Sequence, residues 1–291
     1  MKKIIFLILA LCLLFLGFSF IFQTMDKRNA DDNKAKQTVK AKADVKKPRE
    51  IAIPTLFVHG YAGTKNSLGG MIKRLESQND ATKSLVITVK SDGTLDITGN
   101  YDKFSHNPLI QVLFENNKSS MVNQTEWLKT VGKALKSDYH ITKMNAVGHS
   151  MGGVSLTNYV EQTGNDAAYP TLEKLVLIGA PLNGLAIGNS AYDLTDTGPK
   201  TETERYANFI QHQASIPKSL EVYTIAGDKL DGTKSDGSVP VSSALSGKFI
   251  FSDILNYEEK VFEGSNAEHS KLHENPEVDA VIGDFLWISN G

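Results

Sequence analysis

Cysteine is almost absent. Cys12 stands alone in the chain, so no intrachain disulfide can form and no Cys/His zinc cluster can be assembled. Charge of one sign does not prevail either. With 31 Lys and Arg against 33 Asp and Glu, the net charge is −2, which gives no reason to expect nucleic acid as a partner. Long apolar runs are missing except at one place, where Lys2 and Lys3 precede an uncharged stretch from Ile4 to Phe22. A helix over that stretch reaches roughly 28 Å at about 1.5 Å per residue, close to the hydrocarbon thickness of a bilayer. No small-x-small cleavage site follows it, because Phe20, Phe22 and Met25 are bulky. That favours an uncleaved anchor over a cleaved signal peptide. Leu9-Ala10-Leu11-Cys12 has the outline of a lipobox, but Leu11 is too large for its position and Cys12 falls inside the run, so a buried membrane cysteine is preferred.

Residues 1–25 are therefore read as a membrane anchor or signal segment, and 26–50 as a Lys-rich linker. Lys34, Lys36, Lys40, Lys42, Lys46 and Lys47 repel one another along that linker and extend it. A literal positive-inside count places this flank in the cytoplasm, whereas short anchors of exported proteins start with the same Lys-Lys pair. The expectation adopted is an extracytoplasmic body on a single-pass anchor, with secretion after cleavage as the alternative.

From Ile51 to the end the chain reads as one domain. Its apolar content is ordinary for a globular protein, 41 % over the whole chain. Strands are expected at Ile53–Val58, Leu85–Lys90, Leu95–Thr98, Leu109–Glu115, Met144–Val147, Leu175–Ile178 and Val222–Ala226, with Asp92-Gly93 as a hairpin signal. Helices are expected at Leu68–Glu76, along the stripe Met121, Thr125, Leu128, Val131 and Leu135, at Val154–Thr163, and at Val281–Ile288. Strands separated by helices imply a mostly parallel central sheet with helices on both faces. Residues 185–219 break this rhythm with a polar, weakly periodic stretch, a candidate lid over the strand ends.

Gly148-His149-Ser150-Met151-Gly152 follows an apolar strand and precedes a helix-compatible run. That is the context of a nucleophile elbow, in which a tight turn exposes the serine hydroxyl at a helix N-terminus. The pentapeptide alone arises by chance in roughly one chain in ten; the flanking strand and helix carry the assignment of Ser150 as nucleophile. Val58-His59-Gly60-Tyr61 closes another buried strand, where such folds place an oxyanion donor. The two donors are then the backbone N–H groups of Tyr61 and Met151, and His59 itself reads as structural. The acid and base should follow Ser150 in that order. Asp236 is favoured as the acid, Asp228 is its rival, and Asp231 shares the same loop; calcium binding by this loop is a further alternative. His269 is favoured as the base over His273, which reads as a surface helix residue, while His212 falls in the candidate lid. His106 and His140 read as surface positions.

Taken with Phe57-Val58-His59-Gly60, Gly63-Thr64, Asn107-Pro108, Gly148-His149-Ser150-Met151-Gly152-Gly153, Ala180-Pro181, Ser235-Asp236-Gly237 and His269-Ser270-Lys271-Leu272, residues 50–289 resemble the DUF915 α/β hydrolases, commonly labelled cell-surface hydrolases of Gram-positive bacteria. The resemblance implies an α/β-hydrolase fold, a Ser-Asp-His site and an extracytoplasmic location; no cofactor is expected. It implies no substrate. The expected activity is hydrolysis of carboxylic esters of small-molecule or lipid-like acyl substrates. Amide or thioester cleavage by the same three residues is the alternative, and a non-catalytic surface binding protein on a hydrolase scaffold is the reading from another class.

Overall fold

The computed structural model describes residues 50–78 and 80–288. The anchor expected at 1–25 and nearly all of the Lys-rich linker lie outside the described residues. Among those described, no helix is long and apolar enough to cross a membrane.

The strands are β1 (Thr55–Val58), β2 (Thr82–Val89), β3 (Leu95–Gly99), β4 (Pro108–Phe114), β5 (Lys143–His149), β6 (Thr171–Ile178), β7 (Glu221–Asp228) and β8 (Asn256–Glu263). They form one sheet in the order β3-β2-β4-β1-β5-β6-β7-β8. Only the β2–β3 pair, turned at Asp92-Gly93, is antiparallel; every other pair is parallel. The helices are α1 (Gly69–Ser77), α2 (Met121–Ser137), α3 (Met151–Thr163), α4 (Glu204–His212), α5 (Val241–Leu245), α6 (Gly247–Ile250), α7 (His269–Leu272) and α8 (Pro276–Trp287).

Strand residues alternate between two cores, as the two-residue period requires. Leu56, Val58, Leu175 and Leu177 face a core shared with α2, α3 and α4, where Val131, Val154 and Phe209 are buried. Phe57, Val147, Val176 and Ile178 face the opposite core with α1, α7 and α8, where Met71, Leu272 and Ile282 are buried. Both faces of the sheet's centre are covered, and the central strands β1, β4 and β5 are buried almost throughout, whereas the edge strands β3 and β8 are mostly polar and exposed or half-buried. Ser120 caps α2 by accepting from the Asn123 N–H at 3.2 Å, and Asn275 caps α8 ahead of Pro276 by accepting from the Glu277 N–H at 3.0 Å. The chain crosses over β1 between β4 and β5. The crevice at the carboxyl ends of β1 and β5 is thus the point where strand order reverses, the place where open α/β sheets receive ligands.

Two elements differ from the sequence reading. The stretch 185–219 holds helix α4, whose Tyr206 and Phe209 enter the core. Two apolar anchors in a nine-residue polar segment are too few to show a period. The last helix begins at Pro276 rather than Val281, because its first turn gives only Val278 to the core and is held by its cap.

One buried carboxyl has a measurable consequence. Glu161 of α3 is 7 % exposed, and its Oε1 has no hydrogen-bond partner among the described residues. Burial pushes its pKa up to about 8. Between the usual carboxyl value and pH 8 the folded chain keeps a proton that the unfolded chain has released. The stabilisation is complete in acid and is lost as pH rises through about 8. Glu161→Gln is expected to remove this dependence, gaining on the order of 2–5 kcal/mol relative to wild type between pH 5 and pH 8.5. Denaturant melts of both proteins at the two pH values check this; an unchanged gap between them would refute it.

Candidate active site

Strand β5 runs straight into the turn that carries Ser150. That residue has φ 54° and ψ −125°, a region that costs a side-chain-bearing residue roughly 1–3 kcal/mol. Three backbone hydrogen bonds hold it there. The Ser150 N–H donates to the Ile178 carbonyl at 2.8 Å, and the Ser150 carbonyl accepts from Gly153 at 3.0 Å and Val154 at 3.3 Å. The turn packs backbone against backbone. A Cβ on Gly152 would lie 2.4 Å from the Val58 carbonyl oxygen, so only glycine lets α3 start this close to β1. A Cβ on Gly60 would lie 2.8 Å from the Ser150 Cβ and 3.4 Å from the Met151 nitrogen. The end of β1 is therefore pressed directly against the elbow.

The loop after β1 is braced from two sides. The His59 ring, 2 % exposed, accepts the Phe114 N–H at Nε2 over 3.1 Å. Its Nδ1–H must then donate to the Gly60 carbonyl, 2.8 Å away. Burial pushes the pKa of this ring down, in keeping with a neutral brace between β1 and β4. Asn117 grips the same loop twice: its carbonyl accepts from Ala62 at 2.7 Å and its Nδ2 donates to the Gly63 carbonyl at 2.8 Å. Within the described residues the N–H groups of Tyr61 and Met151 donate to nothing. The Tyr61 side chain is 59 % exposed.

Beyond β7 the loop from Asp228 to Asp236 sorts its carboxylates. Asp228 accepts the Leu230 N–H at 2.9 Å and closes a turn. Asp231 accepts from Thr233 and pairs with Lys229 at 2.9 Å; the Thr233 hydroxyl and then Lys229 hold its pKa far below the usual carboxylate range. Asp236 is 1 % exposed. Its Oδ1 accepts the N–H groups of Ser238 at 2.8 Å and Val239 at 2.6 Å. Its Oδ2 accepts from His269 Nδ1 at 2.7 Å. The His269 N–H also donates to the Asp236 carbonyl at 2.9 Å, so acid loop and imidazole are tied at two points. An ionised carboxylate only accepts, so the proton sits on Nδ1 and leaves Nε2 with a free lone pair.

The serine turn and the imidazole both lie against the Ile178-Gly179 turn. Ser150 is bonded to Ile178, and a Cβ on the next residue, Gly179, would lie 3.1 Å from Asp236 Oδ2 and 3.3 Å from His269 Nδ1. No hydrogen bond joins the Ser150 hydroxyl to the His269 ring among the described residues; such contacts commonly tighten only when substrate binds.

The other histidines are placed as follows. His273 is 7 % exposed, which corrects the expectation of a surface position, and Arg74 donates to the His273 carbonyl at 2.8 Å. Its ring pairs with Glu274 at 3.1 Å. His212 bonds the Asn208 carbonyl of its own helix at 2.8 Å. His106 and His140 are exposed. The segment expected as a lid follows β6, and its helix α4 packs into the core on the α2 and α3 side of the sheet. Arg205 of α4 donates to the Pro181 carbonyl at 2.7 Å, close in sequence to Gly179. The sequence gives His149 no role beyond its place in the elbow and does not mark Asn117, since neither lies in a pattern that reveals its partner.

Comparison with known proteins agrees with this fold. A structure from Listeria innocua shares 33 % identity, covers 82 % of this chain and 96 % of its own, and superposes with a TM-score of 0.77. A Lactobacillus plantarum protein, named as a supposed cell surface hydrolase, shares 27 % identity over 83 % of this chain and 94 % of its own, with a TM-score of 0.69. No functionally curated protein matches. Over residues 42–289 the chain belongs to the DUF915 family, alpha/beta hydrolases of unknown function.

Proposed function

We propose that this α/β hydrolase cleaves carboxylic esters with Ser150 as nucleophile, His269 as general base and Asp236 as the carboxylate that orients it. The observation that carries the reading is the 2.7 Å bond from His269 Nδ1 to Asp236, set beside the strained serine turn. With its proton fixed on Nδ1, His269 can take the Ser150 proton on Nε2 as the hydroxyl attacks an acyl carbonyl. Asp236 stabilises the imidazolium so formed. The free N–H groups of Tyr61 and Met151 receive the oxyanion, each worth roughly 10²–10³ in rate. The imidazolium then protonates the leaving alcohol. Water, deprotonated by the same Nε2, releases the acid and regenerates Ser150. The chemistry needs no cofactor. The apolar run Ile4 to Phe22 supports attachment of this domain to a membrane, and the name of the Lactobacillus plantarum relative supports an extracytoplasmic position.

A fluorophosphonate probe tests the reading. One probe per chain is expected on wild type, located at Ser150 by peptide mass, and none on Ser150→Ala. Folded wild type left unlabelled would point instead to a binding protein on a hydrolase scaffold.

A further inference from the structure

The residue before the nucleophile has a role that the three-residue mechanism leaves unused. His149 is the last residue of β5 and is 6 % exposed. By alternation its side chain shares a face with Val147, on the side covered by α1, α7 and α8. There its ring lies 4.6 Å from the His269 ring at 44° and 4.6 Å from the His273 ring at 82°. Its Nε2 is 3.0 Å from the His269 carbonyl oxygen. A carbonyl only accepts, so His149 carries its proton on Nε2 and donates.

No other well-formed hydrogen bond to that carbonyl is present among the described residues. Helix α7 is a single turn, and the first amide after it, that of His273, turns to the Lys271 carbonyl. A longer helix would satisfy the His269 carbonyl from within. Here a side chain from another strand does so. His269 is consequently held at three points: its N–H on the Asp236 carbonyl, its Nδ1 on the Asp236 carboxylate, and its carbonyl on His149. The first two fix the base relative to the acid. Only the third fixes it relative to the nucleophile, because His149 and Ser150 are joined by a peptide bond.

We propose that His149 is a positioning residue that sets the Ser150–His269 spacing by donating its Nε2–H to the His269 carbonyl. The inference rests on the serine-hydrolase reading above. Its surroundings keep the donor in place. Burial first, and then the neighbouring rings of His269, His273 and His59, hold the His149 pKa well below its ordinary value, so the ring stays neutral with one proton near neutral pH. The bond acts through backbone, so its loss shifts the imidazole without removing any group that touches substrate. A displacement of about 1 Å between reacting groups costs on the order of 10²-fold in rate.

The test compares three variants with p-nitrophenyl acetate as substrate. His149→Leu fills the apolar face but cannot donate; kcat is expected to fall about 10- to 100-fold with KM unchanged. His149→Gln places an amide N–H at a similar reach and is expected to recover most of kcat. His149→Asn has the same amide on a shorter stem and is expected to remain impaired. Thermal midpoints of Gln and Asn variants are expected to match, which separates positioning from packing and keeps the comparison decisive should the Leu variant fail to fold. Equal kcat in the Gln and Asn variants would overturn the proposal, as would a folded Leu variant within twofold of wild type. Wild type unlabelled by fluorophosphonate at Ser150 would overturn the serine-hydrolase reading and this inference with it. A labelled wild type beside a fully active Leu variant would overturn this inference alone.

Discussion

Asp236→Asn is expected to lower kcat about 10⁴-fold while leaving the protein folded, the size of effect found when the orienting carboxylate of a serine protease is made an amide. The reason lies in how the carboxylate is held. Oδ1 accepts two backbone N–H groups, from Ser238 and Val239. An asparagine must keep its oxygen there, since an NH₂ group facing two donors would leave all of them unpaired in a buried site. The amide nitrogen is then turned toward His269, where Oδ2 now sits 2.7 Å from Nδ1. A donor facing Nδ1 forces that nitrogen to accept, and the imidazole proton moves to Nε2. In that tautomer Nε2 cannot take the Ser150 proton. Hydrolysis of p-nitrophenyl acetate with a thermal melt alongside checks this. A folded variant within tenfold of wild type would remove Asp236 from the proposed mechanism. Asp228→Asn serves as the comparison and is expected to change kcat less than about threefold, because its carboxylate only closes a turn on Leu230.

The two substitutions also show which parts of this molecule can be read along the chain. The elbow is legible because its requirements are local: an apolar strand, a residue forced to positive φ, and glycines where backbones touch. The Asp92-Gly93 hairpin and the core stripe of α2 are legible for the same reason, a short period with a known cause. Asp228, Asp231 and Asp236, by contrast, share one loop and one side-chain chemistry. What separates them is where β8 and α7 bring an imidazole, and no spacing in the sequence encodes that. His149 and Asn117 are opaque on the same grounds. Each acts on a loop far away in the chain, His149 on residue 269 and Asn117 on residues 62 and 63. His273 cannot be placed from sequence because a helix of four residues leaves no amphipathic pattern by which its successor could be located. Helix α4 is hidden in the sequence because two buried aromatic residues, Tyr206 and Phe209, take the place of a stripe.

The largest effect is expected from the proposed nucleophile and base, and its diagnostic feature is failure to add. Ser150→Ala and His269→Ala are each expected to cost on the order of 10⁶ in kcat, and the double variant no more than either alone. Once the hydroxyl is gone, an imidazole with nothing to deprotonate contributes little. Without the base, a hydroxyl left at its ordinary acidity is scarcely a nucleophile at neutral pH. A residual rate of roughly 10³ over water is expected in all three, since the free N–H groups of Tyr61 and Met151 still receive the oxyanion of a water attack. Single-turnover hydrolysis of an activated ester, compared across the two single variants and the double, gives the coupling directly. Losses that multiply would show two independent contributions rather than one proton-transfer unit, and the assignment of His269 as the base of Ser150 would fall.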